Sequence, residues 1–163
     1  MNYETFTNAD DCLVSGSGRR RRIIFYFEPD WAFGTIHYEL CKNLWDMGFD
    51  CDLLPWTRKY NLYEFQDLEK RVDLLVTIPS VWKILRDEIK FDPRKIVVVA
   101  HGESDLIGFL QHSNDEEMKK FHAYGVVSQW LKQRSHELGI SRIPAVVNLG
   151  INVPRFEQDI SEK

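Results

Sequence analysis

The run Lys95-Ile-Val-Val-Val-Ala-His101-Gly-Glu-Ser-Asp105 constrains this chain more than any other segment. An unbroken apolar stretch, mostly β-branched, that ends abruptly in polar residues marks a strand buried on both faces, as in a parallel sheet covered by helices. In such sheets ligands settle beyond the carboxyl ends of the strands. The run therefore nominates His101, Glu103, Ser104 and Asp105 as candidate site residues.

The alternation that such a sheet needs recurs along the chain. Ile23-Ile-Phe-Tyr-Phe27 reads as a first buried strand, broken by Glu28-Pro-Asp30. Phe33, Ile36, Leu40, Leu44 and Met47 then fall on one helical face, with Gly48 where a C-terminal cap glycine belongs. Further strands are expected at Cys51–Leu54, Asp73–Ile78, Lys95–Ala100, Tyr124–Ser128 and Pro144–Asn148, with helical segments near 62–71, 80–90, 114–122 and 129–138. Asp92-Pro93 marks the start of the fourth strand, and Leu138-Gly139-Ile140 a helix end on glycine. The pattern predicts an α/β fold: a doubly wound, Rossmann-like parallel sheet of about six strands with helices on both faces. The first and fourth strands, the most continuously apolar, are expected side by side at its centre. The expected core comprises Ile24, Phe25, Phe27, Leu40, Leu44, Leu75, Val97, Val98, Val99, Val126, Val127 and Val146.

A chain of 163 residues, 44% of them hydrophobic, suits one such domain. Residues 1–20, polar and ending in Ser15-Gly-Ser-Gly18 ahead of the basic run Arg19 to Arg22, read as a mobile leader. Residues 21–156 read as the Rossmann-like domain, and 157–163 as a tail or the start of a linker. The basic run reads as a solvated strand flank, and a net charge of −4 argues against a nucleic-acid partner. Cys12, Cys41 and Cys51 lack metal-ligand spacing and leave an odd thiol, which fits free thiols in a reducing, cytoplasmic compartment. No run has the ~20 apolar residues that a membrane helix requires. Peripheral membrane contact stays open.

Projecting the loops after each strand onto one edge gathers Glu28, Asp30, Trp31, Phe33 and Gly34, then Trp56, then Pro79 and Ser80, then His101 to Asp105, then Ser128 and Gln129, and then Asn148, Gly150 and Asn152. Indole faces beside carboxylates suit sugar rings, whose C–H faces pack on aromatics while their hydroxyls hydrogen-bond to Asp and Glu. His101 at a strand end suits a general base or a donor to developing charge, or equally a structural hydrogen bonder. His37, His112, His122 and His136 read as surface or packing residues, and no metal site is expected. Gly34 opens the first helix, where an anion could be received, but it is not part of a G-x-G-x-x-G fingerprint. A hydrolase drawing on Ser104, Ser128 and Asp105 lacks the G-x-S-x-G turn.

Three segments together carry a family likeness: Glu28-Pro-Asp-Trp-Ala-Phe-Gly34, Val97-Val-Val-Ala-His101-Gly-Glu-Ser-Asp-Leu106, and Tyr124-Gly-Val-Val-Ser-Gln-Trp-Leu131 followed by Pro144-Ala-Val-Val-Asn-Leu-Gly-Ile-Asn152. The chain over about 23–156 resembles the N-terminal, acceptor-side half of GT-B glycosyltransferases of the retaining, glycogen-synthase-like kind. It departs from that pattern at Asn148-Leu149-Gly150, where the family has an Asn-Gly pair, and in lacking a Gly-Gly loop after the first strand.

The resemblance implies a domain that binds a sugar-bearing acceptor, with His101 near the donor sugar, Gly34 near the donor diphosphate and Asn152 close to an interdomain hinge. It implies a C-terminal donor-binding domain or partner chain, and a nucleotide-sugar donor in the complete enzyme but no other cofactor. Alone, such a half would be inactive, because catalysis by positioning needs both walls of the cleft. The alternative expectation is a non-catalytic binding or regulatory domain of the same fold.

Overall fold

Each apolar run becomes a strand and each amphipathic stretch a helix in the computed structural model, which describes residues 21–27, 32–55 and 62–147, without the side chains of 32–35 and 62–66. The strands are β1 (Arg22–Tyr26), β2 (Asp50–Leu54), β3 (Leu74–Thr77), β4 (Ile96–Ala100), β5 (Ala123–Val126) and β6 (Ala145–Val146). The helices are α1 (Ala32–Asp46), α2 (Leu62–Arg71), α3 (Trp82–Ile84), α4 (Glu103–Leu110), α5 (Asp115–Met118) and α6 (Gln129–Glu137). A 3-10 turn (Pro79–Val81) precedes α3 and a π-helical turn (Leu85–Ile89) follows it. Gly48 and Gly139, at φ +90° and +86°, reverse the chain after α1 and α6.

The expected class stands: a six-stranded, all-parallel, doubly wound sheet. Its order, β2-β1-β3-β4-β5-β6, corrects the expected neighbours. β1 lies between β2 and β3, and β4 between β3 and β5, so the first and fourth strands are both interior but not adjacent. Apolar continuity reports how deeply a strand is buried and not which strand lies beside it. β3, shorter and less conspicuous in the sequence, is the strand that separates them. The direction of winding therefore changes between β1 and β3, the order found in flavodoxin-like sheets, and not between the first and fourth strands as in the order 3-2-1-4-5-6.

Successive residues of β1 point to opposite faces and build two cores. Ile24 and Tyr26 join Leu75, Val98, Ala100, Leu106, Phe109, Val126 and Leu131 on one face. Ile23 and Phe25, with Phe27, join Cys41, Cys51, Leu53 and Val76 on the other, under α1. Of the expected core, Ile24, Phe25, Phe27, Leu75, Val98 and Val126 are buried. Leu40, Leu44, Val97, Val99, Val127 and Val146 pack against the two clusters only half-buried.

The helix α4 departs from expectation, because Gly108 and the mixed run around it obscured the helical period. That glycine has a structural use: a Cβ there would come within 3.0 Å of the Ser80 Cβ, so α4 lies close against the turn that follows β3. At the opposite edge of the sheet Arg22 pairs with Asp52 at 3.1 Å while its backbone N–H donates to Asp73 at 2.8 Å. The last arginine of the basic run thus ties the start of β1 to its neighbours. No helix of the described residues is long and apolar enough to cross a membrane.

Candidate functional site

The carboxyl ends of β1, β3, β4 and β5 bring Phe27, Thr77, His101 and Ser128 to one edge, next to the point where the winding reverses. Thr77 donates its hydroxyl to the Tyr26 carbonyl at 3.0 Å, tying the ends of β1 and β3 together. Beside them three rings form a cluster. The His37 ring of α1 stacks on Phe27, with centroids 3.5 Å apart and planes 16° apart. His101 meets both rings edge-on, at 5.8 Å from Phe27 and 5.3 Å from His37. The sequence reading gave His37 a surface or packing role; it is packing, at 2% exposure. Its spacing of four from Cys41 placed it on the buried face of α1, but nothing in the sequence linked it to His101.

His101 leaves β4 with both ring nitrogens buried. Burial lowers its pKa, opposed by the nearby Asp105 carboxylate, so the imidazole is held neutral at pH 7. Asp105 is occupied by the backbone: one carboxylate oxygen accepts from the N–H of His101 at 2.8 Å and of Gly102 at 3.1 Å. This fixes the turn leading into α4 and places a negative charge at that helix start. Glu103 accepts from Arg134 of α6 at 2.8 Å, bridging α4 and α6. Ser104 is exposed at the first turn of α4. Ser128 caps α6, its hydroxyl oxygen accepting from the Leu131 N–H at 3.1 Å.

The structure thus brings His101, Glu103, Ser104, Asp105 and Ser128 to the same edge. Asp30, Trp31 and Trp56 lie outside the described residues, as do Glu28, Asn148, Gly150, Asn152, Cys12, the leader and the tail. Phe33 and Gly34 fall within α1, with their side chains outside the described set. Among the described residues no cluster of His, Cys, Asp and Glu could hold a metal ion. Cys41 and Cys51 are free thiols, and burial raises the pKa of both, to about 11 for Cys51.

Three polar side chains of this edge already have partners within the protein. The Asp105 carboxylate serves the two amides just ahead of α4, the Ser128 hydroxyl serves one amide in the first turn of α6, and Arg134 is ion-paired to Glu103.

The fold is that of a doubly wound α/β domain whose winding reverses at the β1–β3 pair. No family model and no curated protein matches the chain. Among solved structures it is similar to a diflavin flavoprotein A3 from Nostoc sp., at 15% identity and a TM-score of 0.36 over 79% of each chain.

These findings correct the family expectation. The strand order places β3 between β1 and β4, where the expected pattern has those two strands side by side, and the similar solved structure is a flavoprotein. The acceptor-side glycosyltransferase half, its nucleotide-sugar donor and the absence of any other cofactor are all set aside. The quoted segments are short strand–loop–helix junctions that any doubly wound sheet requires, which is why they resembled one family's pattern. At so low a TM-score the likeness assigns no chemistry to this chain.

Proposed function

We propose that this chain is a non-catalytic binding domain that takes a small hydroxyl-rich molecule, of carbohydrate type, in the crevice at the carboxyl edge of its sheet. The observation that supports this most directly is the turn after β4. Asp105 holds the His101 and Gly102 amides, and the neutral imidazole lies with its nitrogens buried against Phe27 and His37. That ring packs edge-on against Phe27 and His37 and shapes a floor. Ser104 and Glu103 stand at the rim as polar partners for hydroxyl groups. Asp30, Trp31, Phe33, Gly34 and Trp56 belong to the same proposed site through their places after the first and second strands. Buried free thiols at Cys41 and Cys51 favour a reducing, cytoplasmic setting.

Chemical-shift mapping with mono- and oligosaccharides tests the reading. Perturbations should gather at the amides of His101, Gly102 and Ser104, with affinity of roughly millimolar order because an open crevice buries little of a hydrated sugar. Shifts confined to the opposite edge, near Arg22, Asp50 and Asp73, would reject it. So would saturable binding of flavin mononucleotide that displaces the sugars.

A further inference from the structure

A concave surface lies between α6 and the segment that leads into β6. After Gly139 reverses the chain, Ile140 turns inward at 2% exposure. The next two residues are pinned. The backbone N–H and hydroxyl of Ser141 donate to the two oxygens of Asp115, at 2.8 and 2.6 Å. Arg142 donates to the carbonyls of Met118, Lys119, Phe121 and His122, at 2.9, 3.4, 2.7 and 3.1 Å. Held from that side, the segment stands off α6 and leaves an open groove of about 550 Å³.

The lining of this groove is specific in charge. Lys132 and His136 line it from α6, while the guanidinium of Arg142, also a lining residue, is engaged by the carbonyls of Met118, Phe121 and His122. No carboxylate is among its described lining residues, although the whole chain carries a net charge of −4. The groove also has an apolar strip, Ile140, Ile143 and Pro144, in which Ile143 is 79% exposed. Pro144 leads directly into β6, the outermost strand of the described sheet.

We infer that this groove is a docking site for an acidic, extended peptide segment of a partner protein, carrying an aliphatic side chain for Ile143. Charge complementarity selects the acidic partner. An open groove walled by long polar side chains encloses little of a small anion, whereas an extended chain can run along the apolar strip beside an outer strand and gain contacts over its whole length.

The test uses the full chain and a fluorescein-labelled peptide in which Asp and Glu flank a Leu-Val pair. Binding should be saturable, should weaken as salt rises, and should fall about tenfold or more in Ile143→Asp and in Lys132→Glu. Both side chains lie on the surface of the groove, and thermal melting confirms that each variant folds. Sugar-induced shifts at the His101 turn should survive both substitutions, which separates this proposal from the carboxyl-edge reading. Equal binding by the variants, equal binding of a peptide with Lys in place of each acid, or absence of binding by the parent chain would each overturn it. Complete displacement by millimolar citrate would reassign the groove to small anions and overturn the peptide.

Discussion

Thr77 donates its hydroxyl to the carbonyl of Tyr26 at 3.0 Å, buried, at the place where the sheet changes its direction of winding. In doubly wound sheets, ligands settle at such a reversal, where connections leave to opposite faces. The hydrogen bond keeps the two strand ends together where helical cover parts. Thr77→Val preserves shape and removes the donor, and should lower stability by about 1 kcal/mol. Urea denaturation measures this, and an unchanged midpoint would show that the Tyr26 carbonyl is satisfied without Thr77.

His101 should make stability depend on pH. Its folded pKa lies below the ordinary value of 6.5, chiefly through burial. The folded state therefore binds fewer protons than the unfolded chain in the window between the two values. Stability is fully present above about pH 6.5, declines as pH falls through that value, and levels off below the folded pKa. Comparing denaturation midpoints at pH 7.5 and 5.5 for the parent and for His101→Gln isolates this group, since the other histidines are common to both. The parent should lose more stability than the variant over that interval. Parallel losses would mean that His101 titrates normally.

Lys90 adopts φ +61°, a left-handed conformation, at the close of the π-helical turn, where the Phe91 N–H donates to the Leu85 carbonyl at 2.9 Å. A non-glycine residue pays for that geometry through its Cβ, by roughly 1–2 kcal/mol. Lys90→Gly should relieve most of this while adding backbone entropy to the unfolded chain, for a net gain of about 0.5–1 kcal/mol. Calorimetry should show a melting temperature higher by a few degrees. A lower one would indicate that the Lys90 side chain supports the turn.

Much of this architecture was legible because its strands are buried on both faces. The run Ile96–Ala100 and its counterparts along the chain sufficed for the class of sheet. Gly48 and Gly139 marked helix ends because a positive φ selects glycine. Neighbour relations were not legible: β3 inserts between β1 and β4 by long-range packing that leaves no local trace. The site was half legible. The sequence brought His101, Glu103, Ser104, Asp105 and Ser128 to one edge, but it could not show that Asp105 and Ser128 are occupied in capping helices, or that Arg134 neutralises Glu103. The Asp105 and Ser128 contacts are local, three or four residues apart, and became legible only once the starts of α4 and α6 were placed, whereas the Arg134–Glu103 pair is set by the packing of α6 beside α4.

Asp115 anchors the segment that leads into β6. Hydrogen bonds from Ser141, then from Lys119, lower its pKa to about 2. A carboxylate with a depressed folded pKa contributes stability above its unfolded value of 3.8, and that contribution is lost as pH falls through the folded value. The contact should therefore persist through the window in which ordinary aspartates protonate. A carboxyl-detected titration should place the Asp115 midpoint well below that of exposed aspartates. A midpoint near 3.8 would mean that the Ser141 contacts are not maintained in solution.

The turn joining β4 to α4 depends on Asp105, which accepts from two successive amides, His101 at 2.8 Å and Gly102 at 3.1 Å. Without that carboxylate the two N–H groups lose their acceptor, and the imidazole loses the backbone constraint that holds it edge-on to Phe27 and His37. Asp105→Ala should cost about 1–2 kcal/mol, the range for losing a helix-capping side chain. Hydrogen exchange discriminates a local effect from a global one. Protection at the His101 and Gly102 amides should fall further than at Val98 within β4, because the strand is held by its own ladder while the turn is held by one side chain. If exchange accelerates equally at all three, Asp105 supports the fold as a whole. If none changes, water replaces the carboxylate without loss, and the His101 turn is not preorganised for a ligand.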